Sequence, residues 1–222
     1  MADHTYKLSE IPKKQLLPHF WEYYKVPAII IAVVGIIVCW LIYSIFLSPK
    51  PDSSILFASS NVVTFESLEK LEEELYEAAY DYNGDRKNLI DFNTNIIDSS
   101  NEIDLEHYAA ANQKLIVMLS TDSYIIQIVD ETMFNFLKEE QLLGTYGEFE
   151  GYDTGKPSDS DVKIPLSELN LFKESPSLLN NDFYLTIRDR ASSHIEGSEN
   201  KTQNYKNHLD MVARIAGFKK IG

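Results

Sequence analysis

The feature that most constrains this chain is the run from Val26 to Phe46, VPAIIIAVVGIIVCWLIYSIF, in which no charged residue occurs. At about 1.5 Å per helical residue the run reaches roughly 32 Å, close to the ~30 Å of a bilayer's hydrocarbon core. A buried core helix seldom continues so far without a charge. The pattern therefore predicts a cytoplasmic segment over residues 1–25, a transmembrane helix over 26–47, a short linker over 48–54 and one folded domain over 55–222. Phe20, Trp21, Tyr23 and Tyr24 precede the run, and Trp40, Tyr43 and Phe46 occupy its far end, as interfacial aromatic belts do. Pro27 falls where a first helical turn would begin, a position at which a missing N–H costs little. Lys13, Lys14 and Lys25 lie just before the run and only Lys50 close after it. That bias predicts a single-pass signal anchor with its N-terminus in the cytoplasm and its C-terminal domain outside the cell membrane. A cleaved signal peptide fits less well, because a long polar stretch precedes the run and the run exceeds the usual length of about 7–15 apolar residues.

Charge narrows the possible partners. The chain holds 20 bases and 34 acids. Four bases (Lys7, Lys13, Lys14, Lys25) and three acids (Asp3, Glu10, Glu22) precede residue 48, which leaves 16 bases against 31 acids, a net of -15, on the remainder. A surface that acidic lacks the clustered Lys and Arg by which a protein displaces counterions from phosphates, so nucleic acid is excluded as a partner. Cys39 is the only cysteine and lies inside the apolar run, so the domain forms no internal disulfide. Small animal secreted domains often carry several, and their absence leans toward a bacterial surface.

Beyond the linker SPKPDSS the hydrophobic pattern alternates between strand-like runs and helical periods, the rhythm of an α/β fold. Ile55–Val63 reads as a first strand. Phe65, Leu68, Leu71, Leu75 and Ala78 then recur at helical spacing behind Thr64, a suitable N-cap. A second strand is expected within 88–97. Asp104 opens a helix with Leu105, Tyr108, Ala109, Leu115 and Leu119 on its inner face. Tyr124–Val129 is a continuous apolar run suited to a strand buried on both faces. Asp130 caps a helix through Phe134 and Leu137 that ends near Gly144. Residues 145–162 read as a long surface loop, 183–187 as a strand and 191–201 as a mobile segment. A last helix carries Tyr205, Leu209, Val212 and Ile215 on one face and stops at Gly217.

The residues that could carry chemistry give little. Glu72, Glu73 and Glu74 fall on the solvent side of an amphipathic helix. Glu148, Glu150, Asp153, Asp159 and Asp161 offer oxygen to a hard cation such as Ca²⁺, but their spacing matches no calcium loop. Asp81-Tyr-Asn83-Gly-Asp85 has Arg86 where an EF-hand needs glycine. Histidines 4, 19, 107, 194 and 208 include no i, i+4 pair of the kind that binds zinc. There is no Gly-x-Ser-x-Gly elbow, phosphate-cradling glycine loop or Cys-x-x-Cys. No catalytic residue, metal site or cofactor is assigned, and the chain reads as a non-enzyme.

The stretch YAAANQKLIVMLSTDSYIIQIVDETMFNF, Tyr108–Phe136, resembles a segment of the extracellular solute-binding proteins of ABC importers. Lys114-Leu115, Asp122, the apolar strand and Val129-Asp130 stand in corresponding places. FWEYYKVP before the apolar run and ILFASSNVV after it make the layout similar to small membrane-anchored clostridial (Firmicutes) proteins of unknown function. The resemblance implies an extracytoplasmic α/β domain related to one lobe of a periplasmic-binding-protein-like fold. A full binding protein closes two lobes over its ligand, and this chain has room for one. The expected role is a binding or scaffold domain tethered to the bilayer and contacting an envelope or transporter protein. The alternative is a single-lobe capture or sensor domain for a small ligand. Open α/β sheets bind at the carboxyl ends of their strands, which would put Thr64, Glu66, Asp130 and Thr132 around the ligand.

Overall fold

A computed structural model of the chain describes residues 16–47, 49–97, 105–172 and 183–222. The expected cytoplasmic segment up to residue 15, Ser48 of the linker, His4 and the Asp104 cap lie outside the described residues. So do the side chains of Phe20, Tyr23, Tyr24, Phe46, His19 and His107. The described chain divides into two compact units at Pro49/Lys50.

The first unit is a helix, α1 (Leu16–Ile42), continued by a wider π-helical turn over Tyr43–Leu47. Its stretch Lys25–Ile45 is long and apolar enough to cross a membrane, and none of it is buried against protein. The expectation for Pro27 is corrected: it lies inside α1 instead of at its start. The helix begins upstream at Leu16, with Pro18 in its first turn, so Pro27 leaves one backbone carbonyl a turn earlier without its helical donor.

The second unit is a mixed α/β domain. Its strands β1 (Ser53–Ser59), β2 (Ile90–Ile96), β3 (Ile126–Val129), β5 (Ile164–Pro165) and β6 (Tyr184–Ile187) form one sheet in the order β2-β1-β3-β6-β5. β1 runs parallel to both β2 and β3, while β6 is antiparallel to β3 and to β5. Between them run α2 (Phe65–Ala78), α3 (Leu105–Ser120) and α4 (Glu131–Glu139), and α5 (Glu199–Ala216) follows the sheet. A small ribbon pairs β4 (Tyr152–Asp153) with β7 (Lys219–Lys220).

Alternation along β1 decides the layering, because successive side chains point to opposite faces of the sheet. Ile55 and Phe57 join Leu71 and Leu75 of α2 and Leu209, Val212 and Ile215 of α5 in one core. Leu56 and Ala58 join Leu115, Met118 and Leu119 of α3 and Phe134 and Leu137 of α4 in the other. β3, IQIV, lies in the middle of the sheet and is buried on both faces, its polar Gln127 included. Truncating one such side chain, Leu75→Ala for instance, would cost about 2–5 kcal/mol through lost contact and the cavity left behind.

Several expected faces and boundaries shift. Ser53 and Ser54 already belong to β1, and Asp52 is buried. Phe65 at the start of α2 is 79% exposed. Tyr108 and Ala109 are exposed, Tyr108 although it lies on the same side of α3 as the buried Leu115 and Leu119. α4 stops at Glu139, and Gln141 takes a φ of 57°, so the helix ends before Gly144. Gly144 serves packing instead: a Cβ there would meet Ile187 Cγ1 at 2.9 Å. The 145–162 loop contributes a helical turn at Tyr146–Glu148 and the strand β4. In 191–201, Ser193 and Ile195 are buried and Ser198 caps α5.

Candidate functional site

The carboxyl ends of β1 and β3 are adjacent, and the chain leaves them for helices on opposite faces of the sheet, the arrangement that opens a crevice in α/β folds. Here one carboxylate ties the two strand ends together. Asp130 is 3% exposed. Its Oδ2 accepts from the Ser60 amide (2.6 Å), the Ser60 hydroxyl (2.7 Å), the Ser59 hydroxyl (3.1 Å) and Asn61 Nδ2 (3.3 Å). Its Oδ1 accepts from the Met133 amide at 2.9 Å and so caps α4. Both oxygens are engaged in binding the end of β1 to the start of α4.

Thr64 plays the same part for α2: its hydroxyl accepts from the Ser67 amide at 3.3 Å and lies 2.8 Å from the Ser67 hydroxyl. Glu66 and Thr132, in the first turns of α2 and α4, are exposed to solvent. The structure thus brings Asp130 against the 59–61 turn and makes Thr64 a helix cap, while Glu66 and Thr132 lie exposed in the first turns of their helices.

A cleft of about 440 Å³ lies elsewhere, between α5 and the segment 148–152. Its wall is built by a polar cluster drawn from three distant parts of the chain. Tyr82 donates to Asp210 Oδ2 at 2.9 Å, Tyr152 donates to Asp210 Oδ1, and Arg214 Nε donates to Oδ2 at 2.9 Å. The Arg214 guanidinium lies 4.5 Å from the centre of the Tyr80 ring, a cation–π distance. The buried carboxylate of Asp52 holds Tyr82 in place by accepting from the amides of Tyr82 (2.9 Å), Asn83 (3.0 Å) and Leu89 (3.1 Å). Beneath the cleft the Tyr205 hydroxyl donates to the Arg188 carbonyl at 2.8 Å.

Electrostatics follow from these contacts. Burial would raise the Asp210 carboxyl, but hydrogen bonds from Tyr152, Arg214 and Tyr82 outweigh it and hold the group below the usual carboxylate range. Burial, and then the hydrogen bond to Asp210, pushes the Tyr152 hydroxyl up to about 12 and raises Tyr82 as well. These tyrosines are donors at neutral pH and have no role as bases. Burial and the nearby negative charge of Asp189 raise the Glu148 carboxyl. Sequence reasoning missed this cluster because Tyr82, Tyr152 and Asp210 are each unremarkable in their local pattern. Only the closure of α5 over the sheet brings them together.

Several carboxylates of the acidic stretches are engaged locally. Asp161 pairs with Lys138, and Asp153 Oδ1 accepts from the Gly155 amide at 3.0 Å. Asp81 accepts from the amides of Gly84 (2.6 Å) and Arg86 (2.8 Å). Among the described residues no group of three or more His, Cys, Asp or Glu side chains converges on a metal position. Neither family models nor searches of curated proteins and of solved structures give a match to this chain.

Proposed function

We propose that this protein is a non-enzymatic, membrane-anchored extracytoplasmic domain that contacts a membrane or envelope protein. The observation that carries the reading is the outer face of α3. Ile116 and Val117 are 63% and 56% exposed there, alongside the exposed Ala109, Ala110 and Gln113. In its 16 residues α3 holds one acid, Glu106, and one base, Lys114, and Lys114 is turned back to donate to the Thr94 carbonyl at 2.7 Å. A helix in a domain of net charge -15 that keeps one face apolar and nearly uncharged is suited to covering by protein. Tethering strengthens a weak contact of this kind by confining both partners to one membrane. The α/β layering is compatible with kinship to one lobe of a solute-binding protein, and the single lobe favours a scaffold or adaptor role over solute capture.

The test is a photo-crosslinking amino acid at Val117 of the full chain in intact cells, with Glu73 of α2 as the comparison position. The reading expects one discrete adduct from position 117, absent from position 73 and lost when Ile116→Lys is added. An adduct of twice the chain's mass would replace the partner with a second copy. No adduct from position 117 would overturn the reading.

A further inference from the structure

We propose that the cleft beside α5 binds a small organic carboxylate with a flat apolar body. Three bases, Arg190, Lys206 and Lys220, line it. None of them makes an ion pair within 4 Å among the described residues. Of the acids around the cleft, Asp210 is matched by Arg214, which leaves the three bases against Glu148 and Glu150 of the lining and the nearby Asp189. The cleft is thus close to neutral in a domain of net -15, and its three bases, free of ion pairs, can turn to an anion that enters it. The bases come from three separate places: the turn after β6, α5, and the terminal strand β7. β7 is fastened there by its pairing with Tyr152 and by the Ile221 amide, which donates to the Gly151 carbonyl at 2.8 Å.

The remaining walls are aromatic. Phe149 and Tyr205 are buried and Tyr82 and Tyr152 half-buried around the same space. Apolar walls with a few convergent charged groups are the usual make-up of a small-molecule site, and about 440 Å³ falls within the ordinary size range. The Asp210 cluster fixes two of those rings by hydrogen bonds, so the wall is formed before a ligand arrives and little ordering remains to be done on binding. This site shares no residue with α3 and does not depend on the protein-partner reading.

Benzoate and benzylamine, equal in shape and opposite in charge, are the probes, titrated calorimetrically into the full chain in detergent micelles. Benzoate is expected to bind saturably and benzylamine at least tenfold more weakly. In the double variant Arg190→Gln/Lys206→Gln benzoate affinity should fall about tenfold or more, two charge-assisted contacts having been removed. The variant Arg86→Gln/Lys87→Gln changes net charge equally on an exposed turn away from the cleft and should bind as the parent does. Equal binding of the two probes, undiminished benzoate binding by the cleft variant, an equal loss in the Arg86/Lys87 variant, or no benzoate binding at all would each overturn the proposal.

Discussion

Two buried polar residues act at the scale of single side chains, and they predict opposite experimental signatures. Removing the Asp130 carboxylate strands the amides of Ser60 and Met133, each of which donates to it. Buried donors without acceptors cost about 1–3 kcal/mol apiece. Asp130→Ala should therefore lower stability by about 3 kcal/mol or more, against about 1 kcal/mol for Thr64→Ala, which removes only a cap open to solvent. Urea denaturation of both variants decides it, and equal losses would mean that Asp130 is no more than a helix cap. His208 is 2% exposed; its Nε2 accepts from the Ser54 amide at 3.0 Å and its Nδ1–H donates to the Asn204 carbonyl at 2.8 Å. The ring is thus held neutral, and burial lowers its proton affinity below the ordinary value of about 6.5. The unfolded chain binds this proton more readily than the folded one. Its contribution to stability is therefore complete above about pH 6.5 and declines as pH falls below that, with a slope of up to about 1.4 kcal/mol per pH unit. Thermal unfolding between pH 7.5 and 5 should show this decline in the parent and a flatter profile in His208→Gln.

At the scale of elements, helix ends were more legible than helix faces. Thr64, Asp130 and Gly217 each terminate a helix as their chemistry directs, Gly217 with a φ of 74° at the C-terminus of α5. Caps are local, so sequence reveals these three, whereas Pro27 and Gly144 mark no helix end. The faces of α3 are not local: Leu115 and Leu119 pack inward while Ile116 and Val117 face solvent, and a side chain's hydrophobicity does not say which of two apolar faces meets the sheet. Short strands failed for the same reason, since β5 has two residues and exists only through its pairing with β6. The candidate site was least legible, because the Asp210 cluster joins residues more than fifty positions apart. The two faces of α3 respond differently to substitution. Ile116→Lys and Val117→Glu should change stability by no more than about 0.5 kcal/mol, whereas Leu115→Ala and Leu119→Ala should each cost about 2–5 kcal/mol. Chemical denaturation of the four variants tests it. A large loss from Val117→Glu would show that this face is covered within the folded chain and would remove the basis for a docking partner.

For the whole molecule the governing fact is the contrast between one helix able to cross a bilayer and a domain of strongly acidic composition. The bases flanking that helix favour retention of its N-terminal side, and a net charge of -15 beyond it opposes close approach of the domain to anionic headgroups. The orientation follows as a prediction. The only native cysteine, Cys39, lies within the candidate span, so Cys39→Ser gives a cysteine-free chain into which Val62→Cys places one thiol at a site 69% exposed on the domain. A membrane-impermeant maleimide should label that thiol in intact cells as fully as after lysis. Labelling only after lysis would put the domain in the cytoplasm. In that compartment the sparse cysteine usage would carry no information about the cell surface, and the partner sought through α3 would have to be a cytoplasmic one.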